Sequence, residues 1–192
     1  MHTGAVTTAG SDELQEKRTR ILDAAEHAFS AYGFARSSMA DIATGADMSR
    51  PALYQHFANK EEIYAAVLER LLTTAADAAL GELETTDLEQ ALDGFLQRWT
   101  GDLTERFRST QHGADLVEAK QGHAKAVIAE VRVRVKAAVE ARLAVDAPPA
   151  AVGTLTELVL LSPAGLKADD PPLDVLRTRL TGLAAAVAAA AS

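Results

Sequence analysis

The sequence predicts an all-α protein. Aromatic residues make up only 5% of the 192 residues, Ala is abundant, and this balance favours helix over sheet. Apolar residues recur at helical spacing through most of the chain, whereas one short stretch, residues 131–136, alternates as a strand would. Helical spacing continues on both sides of that stretch, so we expect it to be helix too. About nine helices follow.

Composition also limits the function classes. The absence of Cys excludes disulfides, thiolate metal sites and cysteine nucleophiles. A formal net charge of −8 argues against binding to nucleic acid, but charges more than about 8 Å apart are largely screened, so a small basic surface can still bind DNA. The uncharged run 180–192 is shorter than the roughly 20 residues of a membrane span, and residues 1–10 lack the features of a secretory signal. We therefore expect a cytoplasmic protein without a membrane partner.

The first sixty residues predict an arm and three helices. Residues 1–10 are small and polar, as in a disordered arm, and apolar spacing then predicts a helix over 11–32 that ends at Gly33. Ser38 can cap a second helix, and Gly45 can supply the left-handed residue that ends it. Ser49, followed by Pro51, opens a third helix. Two short capped helices joined by a tight turn are typical of a helix-turn-helix that reads DNA.

The remaining residues predict a helical body. Asn59 can cap a fourth helix that extends to about Leu80, with Glu62 completing a capping box. Further helices are predicted over 88–107, 109–120, 123–145 and 151–161 and from Leu173 through Val187, with a loop over 162–172.

One set of residues at fixed spacing carries a family resemblance. The positions are Ile21-Leu22-Asp23-Ala24-Ala25, Phe29, Gly33-Phe34, Ser38-Met39, Ile42-Ala43, Ala46, Ser49-Arg50, Leu53-Tyr54, His56-Phe57, Asn59-Lys60 and Leu68. Over residues 15–75 they closely resemble the TetR family of transcriptional regulators. The resemblance implies an N-terminal DNA-binding domain over 11–58, with its motif at 38–57, and a ligand-binding and dimerisation domain over 59–192. The C-terminal two thirds matches that family only in the number and order of helices.

The third helix is expected to divide its residues between packing and DNA. Leu53 and Phe57 lie four apart and should pack with Ile42 and Ala46, whereas Arg50 lies on the other surface and is the best candidate for reading a base. The resemblance implies phosphate or backbone contacts for Tyr54, His56 and Lys60, with local packing as the alternative for His56 and a solvated charge as the alternative for Lys60. The predicted DNA interface comprises Arg36, Ser38, Ser49, Arg50, Pro51, Ala52, Tyr54, Gln55, His56 and Lys60.

Two further sites follow from the resemblance. The helices after the motif would enclose a cavity for a small, mainly apolar or aromatic ligand, although the residues that line it could equally be core; they are Leu72, Phe95, Trp99, Phe107, His112, Leu116 and Val127. The last two helices would pair with those of a second copy across a two-fold axis to give a homodimer. Apolar residues at helical spacing would form this interface, although any buried helix shows such a stripe of apolar residues. The predicted interface residues are Leu155, Leu158, Val159, Leu173, Leu176, Leu180, Leu183 and Val187.

The sequence thus predicts a repressor that a small ligand releases from a palindromic, double-stranded DNA operator. The alternatives are a transcriptional activator and a helical scaffold without DNA binding. An enzyme is not expected, because phosphate loops, nucleophile elbows and paired His-Glu metal motifs are lacking. His112, Asp115, Glu118 and His123 are available metal ligands but lack a tight metal-binding spacing, so we expect neither a metal nor a cofactor.

Overall fold

The computed structural model describes residues 6–109, 112 and 122–192, which form helices without a strand. This confirms the all-α prediction. The helices are α1 (Val6–Tyr32), α2 (Met39–Gly45), α3 (Arg50–His56), α4 (Lys60–Glu82), α5 (Leu88–Leu96), α6 (Leu103–Arg108), α7 (Gly122–Asp146), α8 (Pro149–Leu166) and α9 (Leu173–Ala191), with one π-helical turn (Gln97–Asp102) between α5 and α6. The helix predicted over 109–120 lies outside the described residues, apart from residues 109 and 112.

The chain forms two compact units, residues 1–70 with 109–127 and residues 71–108 with 128–192. The first unit continues past residue 58, the boundary that the sequence suggested, because the start of α4 packs onto α1. The ring of Tyr64 lies 5.6 Å from that of Phe29, and Arg70 donates hydrogen bonds to Asp23 and Glu26. The first half of α4 therefore belongs with the helix-turn-helix.

Helix α1 begins earlier than predicted. Residues 6–10 are helical, so the predicted disordered arm does not reach residue 10; residues 1–5 lie outside the described part of the chain. No proline separates these residues from the helix that follows, and extending an existing helix costs less than starting one. At the other end Gly33 has a φ of 79°, as a helix-ending glycine does.

The turn between α2 and α3 differs from the prediction in one residue. Gly45 is the last helical residue, and the left-handed residue is Asp47, with a φ of 52°. Gly45 is needed for a different reason. A Cβ at this position would lie 3.1 Å from the Cβ of Ala24, so the glycine lets α2 approach α1 closely.

Helix α7 confirms the helical interpretation of the alternating stretch. Val131, Val135 and Val139 are buried, whereas Val133 is 71% exposed. A half-buried strand would have buried Val131, Val133 and Val135 together. Burial at every fourth residue instead places one face of a helix in the core of the second unit.

The predicted loop over 162–172 is wrong at its start, because α8 continues through Pro163 to Leu166. Pro163 is buried, and tertiary burial compensates for the backbone hydrogen bond that proline cannot make. The helix predicted over 88–107 is continuous but contains the π-helical turn, which helical periodicity alone does not reveal.

The predicted dimer seam is largely internal to one chain. Helix α9 packs against α5 and α8 in the second unit, and this packing already buries the following members of the seam: Leu155, Val159, Leu176, Leu180 and Val187. Burial within one chain leaves these five residues little surface for a partner, and their assignment to the interface stays a prediction. Leu158 remains 44% exposed, and Leu173 and Leu183 are half-buried.

Candidate nucleic-acid interface

Helix α2 is held at its start by a reciprocal capping box. The Ser38 hydroxyl accepts a hydrogen bond from the Asp41 backbone N–H at 3.2 Å, and the Asp41 carboxylate accepts from the Ser38 backbone N–H at 2.9 Å. The carboxylate also accepts from the Ser38 hydroxyl, and these hydrogen bonds lower the pKa of Asp41. The capping residue was predicted, and the acidic partner three residues later is the signal that identifies it.

Helix α3 begins as predicted, and its buried face packs against α2. The Ser49 hydroxyl accepts from the Ala52 backbone N–H at 3.3 Å, and Pro51 occupies the first turn, where its missing N–H costs nothing. Leu53 and Phe57 are buried together with Ile42 and Ala46. The predicted small core between the two helices is therefore confirmed.

The opposite face of α3 is open to solvent. Arg50, Pro51, Tyr54 and Gln55 are exposed, with Tyr54 at 47%, while Ala52 and His56 are half-buried. Within the described part of the chain, the guanidinium of Arg50 makes no hydrogen bond or ion pair. This face thus presents one uncommitted guanidinium, one phenol and one amide, which are groups that can donate hydrogen bonds to bases and phosphates.

Lys60 is committed to the protein itself rather than lying free at the surface. Its ammonium donates to the backbone carbonyls of Phe34 at 2.5 Å and Ser37 at 2.8 Å and lies 4.3 Å from the centre of the Phe34 ring. The alternative of an ordinary solvated charge is wrong. Lys60 fastens the start of α4 to the connection between α1 and α2, and one of its three N–H donors is not used by these carbonyls.

Helix α4 is capped as predicted, with one difference. The Asn59 side chain accepts from the Glu62 backbone N–H at 2.8 Å, but the Glu62 carboxylate accepts from Ala58 instead of from Asn59. Because Ala58 comes one residue before Asn59, this hydrogen bond also holds the chain that follows α3. The start of α4 is therefore tied both to α3 and to the connection before α2.

Arg36 and Arg18 also make contacts that spacing does not indicate. Arg36 donates to the Tyr32 carbonyl at 3.0 Å, and its guanidinium lies 2.7 Å from Nε2 of His112, which comes from a distant part of the sequence. Arg18 lies 4.7 Å above the ring of Phe57. This cation–π contact fixes the end of α3 against α1, and sequence reasoning missed it because the two residues are far apart in the chain.

The predicted ligand residues are divided between the two units. Leu72 and Phe95 are buried in the second unit, Trp99 and Phe107 are half-buried there, His112 and Val127 belong to the first unit, and Leu116 lies outside the described residues. Of the candidate metal ligands, Asp115 and Glu118 also lie outside them. The second unit instead has a cleft of about 420 Å³, lined by Leu71, Thr74, Ala75, Ala78, Arg98, Asp102, Leu103, Glu105 and Arg106. None of the predicted ligand residues lines this cleft.

Two short capped helices, the small core between them and the exposed polar face of α3 define a helix-turn-helix DNA-binding domain. Residues 21–67 match the family model described as "Bacterial regulatory proteins, tetR family". The chain thus carries the DNA-binding domain of the tetR family.

Relatives agree with this assignment. The chain is 48% identical over 63 residues to the "HTH-type transcriptional regulator TtgR" of Pseudomonas putida, covering 33% of this chain and 30% of that protein. It is 39% identical over 71 residues to the "HTH-type transcriptional activator FasR" of Mycolicibacterium smegmatis, covering 37% and 32%. The matches thus span about a third of these relatives, which are transcriptional regulators rather than enzymes.

A solved structure shares the fold over most of the chain. A crystal structure of a putative tetR-family transcriptional regulator from Mesorhizobium loti superposes with a TM-score of 0.72 and covers 90% of this chain and 95% of that one. The identity is 20%, so this likeness establishes the fold alone.

Proposed function

We propose that the protein is a dimeric transcriptional regulator that binds a palindromic operator and is released from it by a small effector. The single observation that carries the proposal is the exposed face of α3, where the Arg50 guanidinium has no intramolecular partner within the described part of the chain. A repressor is the simplest form, because release by a ligand needs no contact with the transcription machinery. An activator with the same operator contacts is the second form.

Three side chains of the exposed face of α3 would make different contacts with DNA. Arg50 would donate to a base edge in the major groove, and Tyr54 and Gln55 would contact the backbone or a neighbouring base. Lys60 would contribute to the phosphate contact only through the donor that its two internal carbonyls leave unused. Most of the affinity for phosphate would then come from cations other than Lys60.

A second copy of the chain would cover the outer face of α8 and α9. Leu161 is 67% exposed on α8, Leu158 and Val175 are also exposed, and added Cβ atoms at Gly153 and Gly182 would meet nothing within 4 Å. Such a face lets two helix pairs approach closely across a two-fold axis. Two α3 helices related by that axis would fit two half-sites about one helical turn apart.

The same outer face has a competing explanation. Among the described helices, α8 alone is long and apolar enough to cross a membrane by length and composition, and only 22% of it is buried. A partner copy explains the exposed apolar residues of α8 and Val175 of α9 without a bilayer. A bilayer would also have to accommodate the ion pair between Arg179 and Asp169.

Effector control would follow from linkage. An effector lowers operator occupancy only if it binds the form of the dimer that does not fit DNA more tightly than the form that does. DNA must then weaken effector binding by the same factor. The cleft of the second unit is the candidate effector site.

The DNA-binding proposal is tested by selection from a random duplex library, followed by titration of the selected duplex. We expect two inverted half-sites and a dimer bound to each duplex. Arg50→Ala should relax preference at one position of each half-site, and Lys17→Ala, which removes an exposed cation of α1 paired with Glu13, is the matched control. Failure to select any sequence would favour the scaffold alternative.

The interface is tested separately by sedimentation. Leu161→Asp should leave the fold intact and give monomers, because it places a charge in the proposed interface. Val145→Asp changes an exposed residue of α7 to the same charge and should leave the dimer unchanged. Persistent dimers of Leu161→Asp would contradict this interface, and a wild-type protein that is soluble only in detergent would indicate a membrane helix instead.

A further inference from the structure

The cleft of the second unit has an apolar wall and a charged wall. Helix α4 contributes Leu71, Ala75 and Ala78, whereas the π-helical turn and α6 contribute two carboxylates and two guanidiniums, those of Asp102, Glu105, Arg98 and Arg106. An apolar ligand would make favourable contacts only with the apolar wall. The charged wall therefore indicates which polar group a ligand should carry.

Both carboxylates of that wall are already used by one residue of α9. Arg177 donates to Asp102 at 2.8 Å and to Glu105 at 2.9 Å, and it donates to the side-chain oxygen of Gln97 at 3.2 Å. Gln97 in turn donates to the Arg177 carbonyl at 3.0 Å and to the Thr181 hydroxyl at 3.2 Å. The π-helical turn and the first half of α9 are therefore joined through these groups.

The π-helical turn is shaped to admit this arginine. A Cβ at Gly101 would lie 2.8 Å from Nη1 of Arg177 and 3.3 Å from the Gln97 side-chain oxygen, closer than side chains normally pack. Gly101 is buried, and a π-helical turn inside a helix often marks a functional position. The guanidinium thus occupies a space that any larger residue at 101 would fill.

We propose that the cleft binds a small amphipathic cation, whose charged group replaces Arg177 on Asp102 and Glu105 while its apolar part lies against α4. This inference rests on the proposed effector control and names the class of effector. Binding would release Arg177, so the first half of α9 would lose its attachment to the π-helical turn. Because α9 carries part of the proposed dimer face, a ligand bound in the cleft would alter the packing of the two copies.

Charge balance favours a cation over an anion. Asp102 and Glu105 both bind Arg177, and Asp102 also binds Arg98. A monocation that replaces Arg177 leaves the charge beside these two carboxylates unchanged, and the released side chain is already one-third exposed. An anion would add negative charge beside the two carboxylates and would have to compete with Glu82 and Asp102 for Arg98.

Matched probes test the proposal. Octylguanidinium, octylammonium, octanol and octanoate share one apolar chain and differ in the head group, and each is titrated calorimetrically below its micelle concentration. We expect the two cations to bind one per chain and octanoate to bind more weakly than either. Equal binding of octanoate, or stronger binding of octanol than of the cations, would overturn the proposal.

Variants test the exchange itself. Arg177→Gln removes the internal competitor, so the affinity for octylguanidinium should rise by about 5-fold or more. Glu105→Gln should lower it. Arg179→Gln is the matched control, because Arg179 lies on the same helix but pairs with Asp169. No gain with Arg177→Gln, or an equal gain with Arg179→Gln, would refute the exchange.

A second variant keeps the test decisive if Arg177→Gln does not fold. Gly101→Ala places a methyl group where the guanidinium lies, so it should displace Arg177 and also raise the affinity for the cation. In the wild type, octylguanidinium should speed hydrogen exchange in the first half of α9, and unchanged exchange would contradict the release. Operator binding is measured on the same protein without probes, so failure of the cation proposal and failure of DNA binding give different results.

Discussion

Replacing Lys60 by Met separates the two roles that this residue can have. Met keeps most of the apolar stem but removes the ammonium, which donates to the carbonyls of Phe34 and Ser37. A hydrogen bond to a charged group contributes about 1.5 to 3 kcal/mol, and the side chain is only half-buried, so the lower figure applies to each bond. The loss of both bonds predicts a decrease of about 3 kcal/mol in the free energy of unfolding of the first unit.

Two measurements on the same variant check this prediction. Urea unfolding followed by circular dichroism gives the stability, and the salt dependence of binding to the selected duplex gives the number of phosphate contacts. If Lys60 acts mainly as an internal fastener, stability falls while the slope of log affinity against log salt stays the same. If Lys60 is mainly a phosphate contact, the slope falls by about one with little change in stability.

The control is Lys17→Met, which removes a more exposed ammonium from α1. This lysine pairs with Glu13 one turn earlier, and an exposed pair of this kind contributes little. We expect its unfolding midpoint to match that of the wild type. A stability loss below about 1 kcal/mol for Lys60→Met, combined with a reduced salt slope, would refute the reasoning from internal hydrogen bonds.

Three further predictions concern the first unit and the glycines. Arg50→Ala should cost about 1 to 3 kcal/mol on the preferred operator and almost nothing on random duplex, and equal losses on both would show that it does not read bases. Gly45→Ala should lower the melting temperature because its methyl group would press on Ala24, whereas Gly81→Ala in open space on α4 should raise it, and the reverse order in calorimetry would contradict the packing argument. Asp41, whose pKa is lowered by the capping hydrogen bonds, stabilises α2 above its ordinary pKa and loses this effect as pH falls through the lowered value. Asp41→Asn should therefore flatten the acid limb of the unfolding curve below about pH 4, and an unchanged limb would exclude the contribution.

The burial of most of the predicted dimer seam within one chain shows a limit of pattern reasoning. Leu176 and Leu180 repeat at the spacing of a helix interface, but the same spacing occurs wherever one helix face is buried. The pattern cannot say whether the neighbour is α5 of the same chain or a second copy. Leu161, which the prediction omitted, is more exposed than Leu158, which it included.

The cleft shows a second limit. The predicted lining was chosen for apolar and aromatic character, whereas the residues that line the cleft include two arginines and two carboxylates. The charges of the two carboxylates are acceptable there because both pair with Arg177, which is distant in sequence. The composition of one segment does not predict which distant residues its charged side chains pair with.

The sequence alone determined the features that depend on neighbouring residues. Capping by Ser38, Ser49 and Asn59, the helix end at Gly33 and the buried pair beneath α3 were all predicted, because caps, turns and helix faces are set within a few residues. Together with the family resemblance over residues 15–75, they predicted the DNA-binding domain.

Tertiary structure decided the features that join distant segments. It assigned the ammonium of Lys60 to two backbone carbonyls, placed Arg18 over Phe57, and divided the apolar stripe of α9 between core and surface. Each of these depends on which helices meet, and a helix face carries the same apolar pattern whichever neighbour covers it. The physical reason is that burial and ion pairing are properties of the packed chain, whereas capping is a property of a single turn.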